Sequence, residues 1–165
     1  MPIIDALLPE FDHEIATTRK LLERLPDDKF DWKPHAKSFA LGALATHVAT
    51  IPMWGEMALT RAEIDVGGTP QQPAVSSRSE LLATFDKNAE GTRSALEGKS
   101  DAQMMEPWAL KRDGRTIFSM PKVAVWRSFV LSHLVHHRGQ LSVYLRLLDV
   151  PVPSIYGPSA DEGSF

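Results

Sequence analysis

Four stretches of this chain repeat apolar residues at the spacing of an α-helix, and each keeps them to one face. Ile4, Leu8, Phe11, Ile15, Thr18, Leu22 and Leu25 form the first stripe, which Pro26-Asp27-Asp28 ends. Ala40, Leu44, His47, Ile51, Trp54 and Ala58 form the second. The third, Leu82, Phe85, Ala89, Thr92 and Leu96, follows a capping-box pattern at Ser77-Arg78-Ser79-Glu80 and stops near Gly98. The fourth starts after Pro121 and runs through Val123, Trp126, Val130, His133, His137, Leu141, Tyr144 and Leu148. A helix with one apolar face must bury it against another element, so these segments predict an all-α four-helix bundle. At 165 residues the chain is long enough for one substantial core, and a single domain over 1–165 is expected.

The connections differ in character. Residues 26 to 38 are short and polar, with Trp32 and Pro34, whereas 65 to 76 form a Gly/Pro/Gln-rich crossover between helices 2 and 3. Between residues 106 and 120, Asp113-Gly114 separates two short runs and predicts a small β-hairpin before helix 4. The tail from Pro151 to Phe165 is Pro-rich and is expected to be extended. The N-terminal Met1-Pro2-Ile3-Ile4-Asp5 lacks the pattern of a signal peptide, and no stretch is apolar enough to span a bilayer; a cytoplasmic protein is expected.

Eighteen basic and 21 acidic residues give a net charge of -3 without a basic run. That argues against nucleic acid or an anionic membrane as a partner and leaves a small-molecule substrate. Cysteine is absent, which removes disulfides, a thiolate nucleophile and thiolate metal ligands together. Thiol chemistry on this chain would need a thiol from outside.

The chemistry is concentrated in histidines. At 100° per residue, with His133 at zero, His137 lies at about 40°, Trp126 and Tyr144 at about 20°, and Val130 and Leu148 at about 60°. Both histidines are therefore expected at the centre of the buried face of their helix, and His47 at the centre of its own. Three imidazoles aimed at one core each need a polar partner if they are mere packing, and together they make a divalent metal site. His136 falls at the edge of the face, placed to support a ligand or reach solvent, while His13 and His35 fall on the surface or in loops. Trp54, Trp108, Trp126 and Tyr144 could wall a pocket over the ion or be ordinary core. Pro52 should kink helix 2 just after His47. Arg138 is expected to point away from the core. Leu131, Val135 and Ser142, on the far side of helix 4, suggest either a dimer interface or burial under the tail.

The segment His133-Leu134-Val135-His136-His137-Arg138-Gly139-Gln140-Leu141 strongly resembles the DinB family, as do Tyr144-Leu145-Arg146 and the run Tyr156-Gly157-Pro158-Ser159-Ala160-Asp161-Glu162. Lys37-Ser38-Phe39-Ala40-Leu41-Gly42, continuing through His47-Val48-Ala49 to Trp54, resembles the family's other motif. The resemblance implies a four-helix bundle with a long crossover, a divalent metal (nickel or zinc) held by His47, His133 and His137, and a homodimer. It also implies kinship with enzymes that use a metal to activate a low-molecular-weight thiol for transfer to an electrophile.

Three neutral imidazoles would leave an ion's charge uncompensated, able to lower the pKa of bound water towards about 7 or to deprotonate a bound thiol. The expected function is thus a metal-dependent thiol S-transferase. A metal-dependent hydrolase and a non-catalytic, stress-related metal-binding or scaffold protein stay open. For hydrolysis, Glu56 would fall on the face of helix 2 opposite His47, which leaves no evident carboxylate base.

Overall fold

A computed structural model describes residues 1–68 and 74–163 of the chain. Four long helical segments build the bundle: α1 (Ile3–Leu22), α2 (Leu41–Thr60), α3 (Arg78–Leu96) and a final composite helix. The composite begins with α5 (Lys122–Val125), passes through a π-helical stretch (Trp126–Ser132) and continues as α6 (His133–Leu147). A single turn, α4 (Asp101–Met104), follows α3 and is closed by a Ser100–Gln103 capping box. Phe11, Leu21, Leu44, Val48, Phe85, Trp126, Leu134 and Leu141 meet in one core between the long helices.

Local signals set most boundaries. Ser77 caps α3, its hydroxyl accepting from the Glu80 amide at 3.2 Å, while the Glu80 carboxylate turns back to Ser76 rather than Ser77. The Asp-Gly hairpin is present: β2 (Pro107–Arg112) and β3 (Arg115–Pro121) pair antiparallel, with Asp113 and Gly114 both at positive φ as the two-residue turn requires. The crossover adds a strand absent from the sequence reading. There β1 (Glu63–Asp65) lies parallel to β2, and Asp65 accepts from the amides of Gly67, Asp113 and Gly114. Residues 69–73 of the crossover lie outside the described residues. The tail has no regular element through residue 163, and Arg146–Asp161 and Arg24–Glu162 ion pairs hold it to the bundle.

Pro52 does sit inside α2, and α3 braces the carbonyls around it: Thr92 donates to Pro52 and Asn88 to Ala49. The helices approach closely at Gly55, where a Cβ would stand 2.7 Å from Thr92 Cγ2 and 3.1 Å from the Trp126 ring.

The buried face of the last helix differs from the one expected. Leu134, Arg138, Leu141 and Leu145 are buried, whereas His133, His137 and Tyr144 are only partly so. With His133 at zero, the buried set lies at roughly 80–140°, a rotation of about a quarter turn from the predicted face. The π stretch is the reason. An α-helix throughout would put Trp126 and Val130 on the histidine side. At roughly 80° per residue, as i→i+5 bonding implies, they move to about 160° and 120° and join the buried face. Upstream and downstream halves therefore share one core, and the histidines are turned to its rim.

Candidate metal centre

α2 supplies His47 and the start of α6 supplies His133 and His137, one turn apart. One side-chain nitrogen from each of the three lies within 4.8 Å of the others. The His47 and His133 Nε2 atoms are 3.1 Å apart, and the three ring centroids are separated by 4.5 to 4.9 Å. The structure thus brings together the trio singled out in the sequence, on a half-buried rim instead of in the core centre.

Burial makes the charged form of each ring costly, and the neighbouring imidazoles add to that cost. His47 is pushed down to about 4 by desolvation first, then by His137 and His133. Desolvation also lowers His133 and His137. All three are therefore poised as neutral imidazoles near pH 7, the protonation state a metal requires. The donors are nitrogen alone: no carboxylate joins the cluster among the described residues. An all-imidazole set of this size suits zinc, nickel or copper better than magnesium or calcium.

Two ring contacts were not foreseen. His137 Nδ1 lies 2.7 Å from Gln140 Oε1, one turn on. The i, i+3 spacing of His137 and Gln140 was legible. Phe39, missed as a site residue and 55% exposed, stacks on His47 with centroids 6.4 Å apart. The Tyr144 hydroxyl donates to the Phe39 carbonyl at 3.3 Å, and the Trp32 ring meets Tyr144 edge-on at 5.6 Å. Tyr144 is thus linked to the cluster through Phe39, the ring that stacks on His47, and Trp32 lies against Tyr144 on the same border.

Other expected pocket residues lie elsewhere. Trp108 is buried in a second core with Ala58, Val125 and Phe118, beneath the hairpin. Trp126 packs on Phe11 in the main core. Trp54 is half-buried two turns beyond His47, and no ring contact joins it to the trio among the described residues. His136 packs on His137 at 4.7 Å between centroids but faces outward. It lines a hollow of about 330 Å³ with Glu10, Glu14, Arg127, Leu131, Ser132, Val135 and Tyr156. Leu131, one of the three residues of the supposed outer strip, is 4% exposed, and Val135 is partly buried in the same hollow, whose other walls come from α1 and the tail.

Arg138 reverses its expectation. It is 1% exposed and pairs with the buried Glu14 at 2.7 Å. It also donates to the Thr18 hydroxyl at 3.1 Å and the Tyr156 hydroxyl at 2.5 Å, and Tyr156 in turn donates to Glu14. Taking the histidines as the buried face had placed Arg138 too near solvent.

Among the described residues, no helix is long and apolar enough to cross a membrane. The chain is 24% identical over 159 residues to the uncharacterised protein YrdA of Bacillus subtilis, covering 96% of this chain and 91% of that one. Its fold is similar to that of a DinB-like protein from Bacillus cereus, with a TM-score of 0.72 at 22% identity, covering 94% of this chain and 98% of the other. A DinB family member from Exiguobacterium sibiricum gives a TM-score of 0.60 at 18% identity, covering 90% and 94%. The sequence model of the DinB family matches residues 4–164, nearly the full length. The chain belongs to the DinB family.

Proposed function

We propose that this protein binds one divalent ion, zinc or nickel, through His47, His133 and His137 and serves as a transferase for an external low-molecular-weight thiol. The observation that carries the reading is the convergence of three neutral imidazoles on a half-buried rim. Bound there, the ion would supply a positive charge that no carboxylate among the described residues of the cluster offsets, favouring the thiolate over the thiol.

The chain's own residues do the rest. His47, His133 and His137 offer three ligands, which leaves room for a further ligand from solution. Phe39, Trp32 and Tyr144 border the site with apolar surface against which an organic substrate can be held away from water. The chain has no cysteine, so the sulfur must come from a cosubstrate. Its proton passes to solvent, a sulfur–carbon bond forms on the electrophile, and the electrophile's leaving group departs with the displaced electron pair. Hydrolysis is less favoured because Glu56, the α2 carboxylate considered as a base, packs against Gly91 on α3. A purely structural ion is less favoured because, among the described residues, the cluster contains three protein ligands and no fourth.

Metal content after exhaustive dialysis tests the site. Wild type should retain about one equivalent of zinc or nickel, and His137→Ala should lose it while staying folded. Metal-loaded protein should then consume thiol saturably with an alkylating electrophile. Metal retention without turnover across several cellular thiols would leave a binding protein, and no metal after reloading would overturn the reading.

A further inference from the structure

The two α6 histidines differ in how their far nitrogens are held, and the difference is encoded one turn away. His137 Nδ1 is 2.7 Å from the Gln140 side-chain oxygen, an acceptor with no proton of its own. The contact therefore requires the proton on Nδ1 and leaves Nε2 bare. Gln140 is exposed and belongs to no core cluster among the described residues, so packing does not account for its orientation.

From this contact we propose that Gln140 is the positioning residue of the metal centre: its amide oxygen fixes the His137 tautomer and ring angle so that Nε2 faces His47 and His133. The inference rests on the metal-site reading for its consequence, though the tautomer can be read without metal. The proton balance of the cluster agrees with it. His133 Nε2 lies 3.1 Å from His47 Nε2, a contact that needs a proton on one of the two rings. With His137 Nε2 bare, the proton shared by His47 and His133 is the one that must move before a cation binds.

Long-range ¹H–¹⁵N spectra of metal-free protein at pH 8, where the rings are neutral, report each tautomer directly. Wild type should show Nδ1–H at His137. Gln140→Leu should return His137 mainly to Nε2–H while leaving His133 unchanged, and Gln140→Glu, which keeps an acceptor, should restore Nδ1–H. An Nε2–H His137 in wild type, or an unchanged tautomer in Gln140→Leu, overturns the proposal. Zinc affinity measured by chelator competition should fall about 10–100-fold in Gln140→Leu and recover in Gln140→Glu. Equal zinc affinity in wild type and Gln140→Leu also overturns it. Wild type that shows the tautomers but takes up no zinc would sink the metal-site reading and leave Gln140's hold on His137 standing.

Discussion

Arg138 and His47 show what burial does to a charged and to a chargeable side chain. Arg138 remains paired, because a guanidinium cannot shed its proton, and Glu14, Thr18 and Tyr156 surround it. Removing one partner would strand the other in the core. Arg138→Met should therefore cost about 3–5 kcal/mol in urea unfolding, and the double variant Arg138→Met/Glu14→Gln should recover part of the loss. A single variant within about 0.5 kcal/mol of wild type would show that the pair with Glu14 does not hold the core together. His47 takes the other route and loses its proton. Its value falls from 6.5 in the ordinary state to about 4 in the fold. The unfolded chain therefore binds the proton more readily, and metal-free protein should lose stability as the pH falls from about 6.5 towards 4. Above about 6.5 His47 contributes no pH dependence. Melting temperatures across that window should decline more steeply for wild type than for His47→Gln; parallel profiles would contradict the assigned burial.

At the scale of elements, the last helix decides what could be read from sequence. The four stripes, the Ser77 cap, the Asp-Gly hairpin and the histidine trio were legible because each rests on spacing or turn chemistry local in the chain. The π stretch was not. Seven residues winding at a different rate shift the phase by about one residue, and nothing in Trp126-Arg127-Ser128-Phe129-Val130-Leu131-Ser132 announces it. Uniform α-helical counting was therefore right about which histidines share a face and wrong about which face is buried, and Arg138 was misplaced by the same error. β1 was hidden for another reason: three residues, Glu63-Ile64-Asp65, carry too little alternation, and their partner β2 lies more than forty positions on. Gly55 tests how closely α2 meets α3 and the π stretch. Alanine is the better helix former by about 1 kcal/mol, yet its methyl group would collide with Thr92 and Trp126. The collision should dominate, with Gly55→Ala less stable by about 1–3 kcal/mol in urea unfolding. A stabilised variant would show that α2 and α3 can move apart without loss.

Across the whole molecule, the histidine cluster joins parts of the chain 86 residues apart: His47 in the second helix and His133 at the start of the last. A cation held there would cross-link α2 to α6 only in the folded state, since the unfolded chain offers no preformed trio. Such a ligand must raise apparent stability by mass action, whatever its chemistry. At free zinc about a hundredfold above the dissociation constant the gain is about 2.7 kcal/mol, which for a chain of this size means roughly 5–10 °C in melting temperature. Zinc should produce that rise in wild type, magnesium should not, and His137→Ala should lose it while keeping a melting temperature close to that of metal-free wild type. The last condition follows from the rim position: His137 is only partly buried, so its truncation opens little core. An equal zinc shift in His137→Ala would move the binding to another surface. A collapse of the variant even without metal would make His137 part of the bundle's packing, and the three imidazoles would then be read as structure before chemistry.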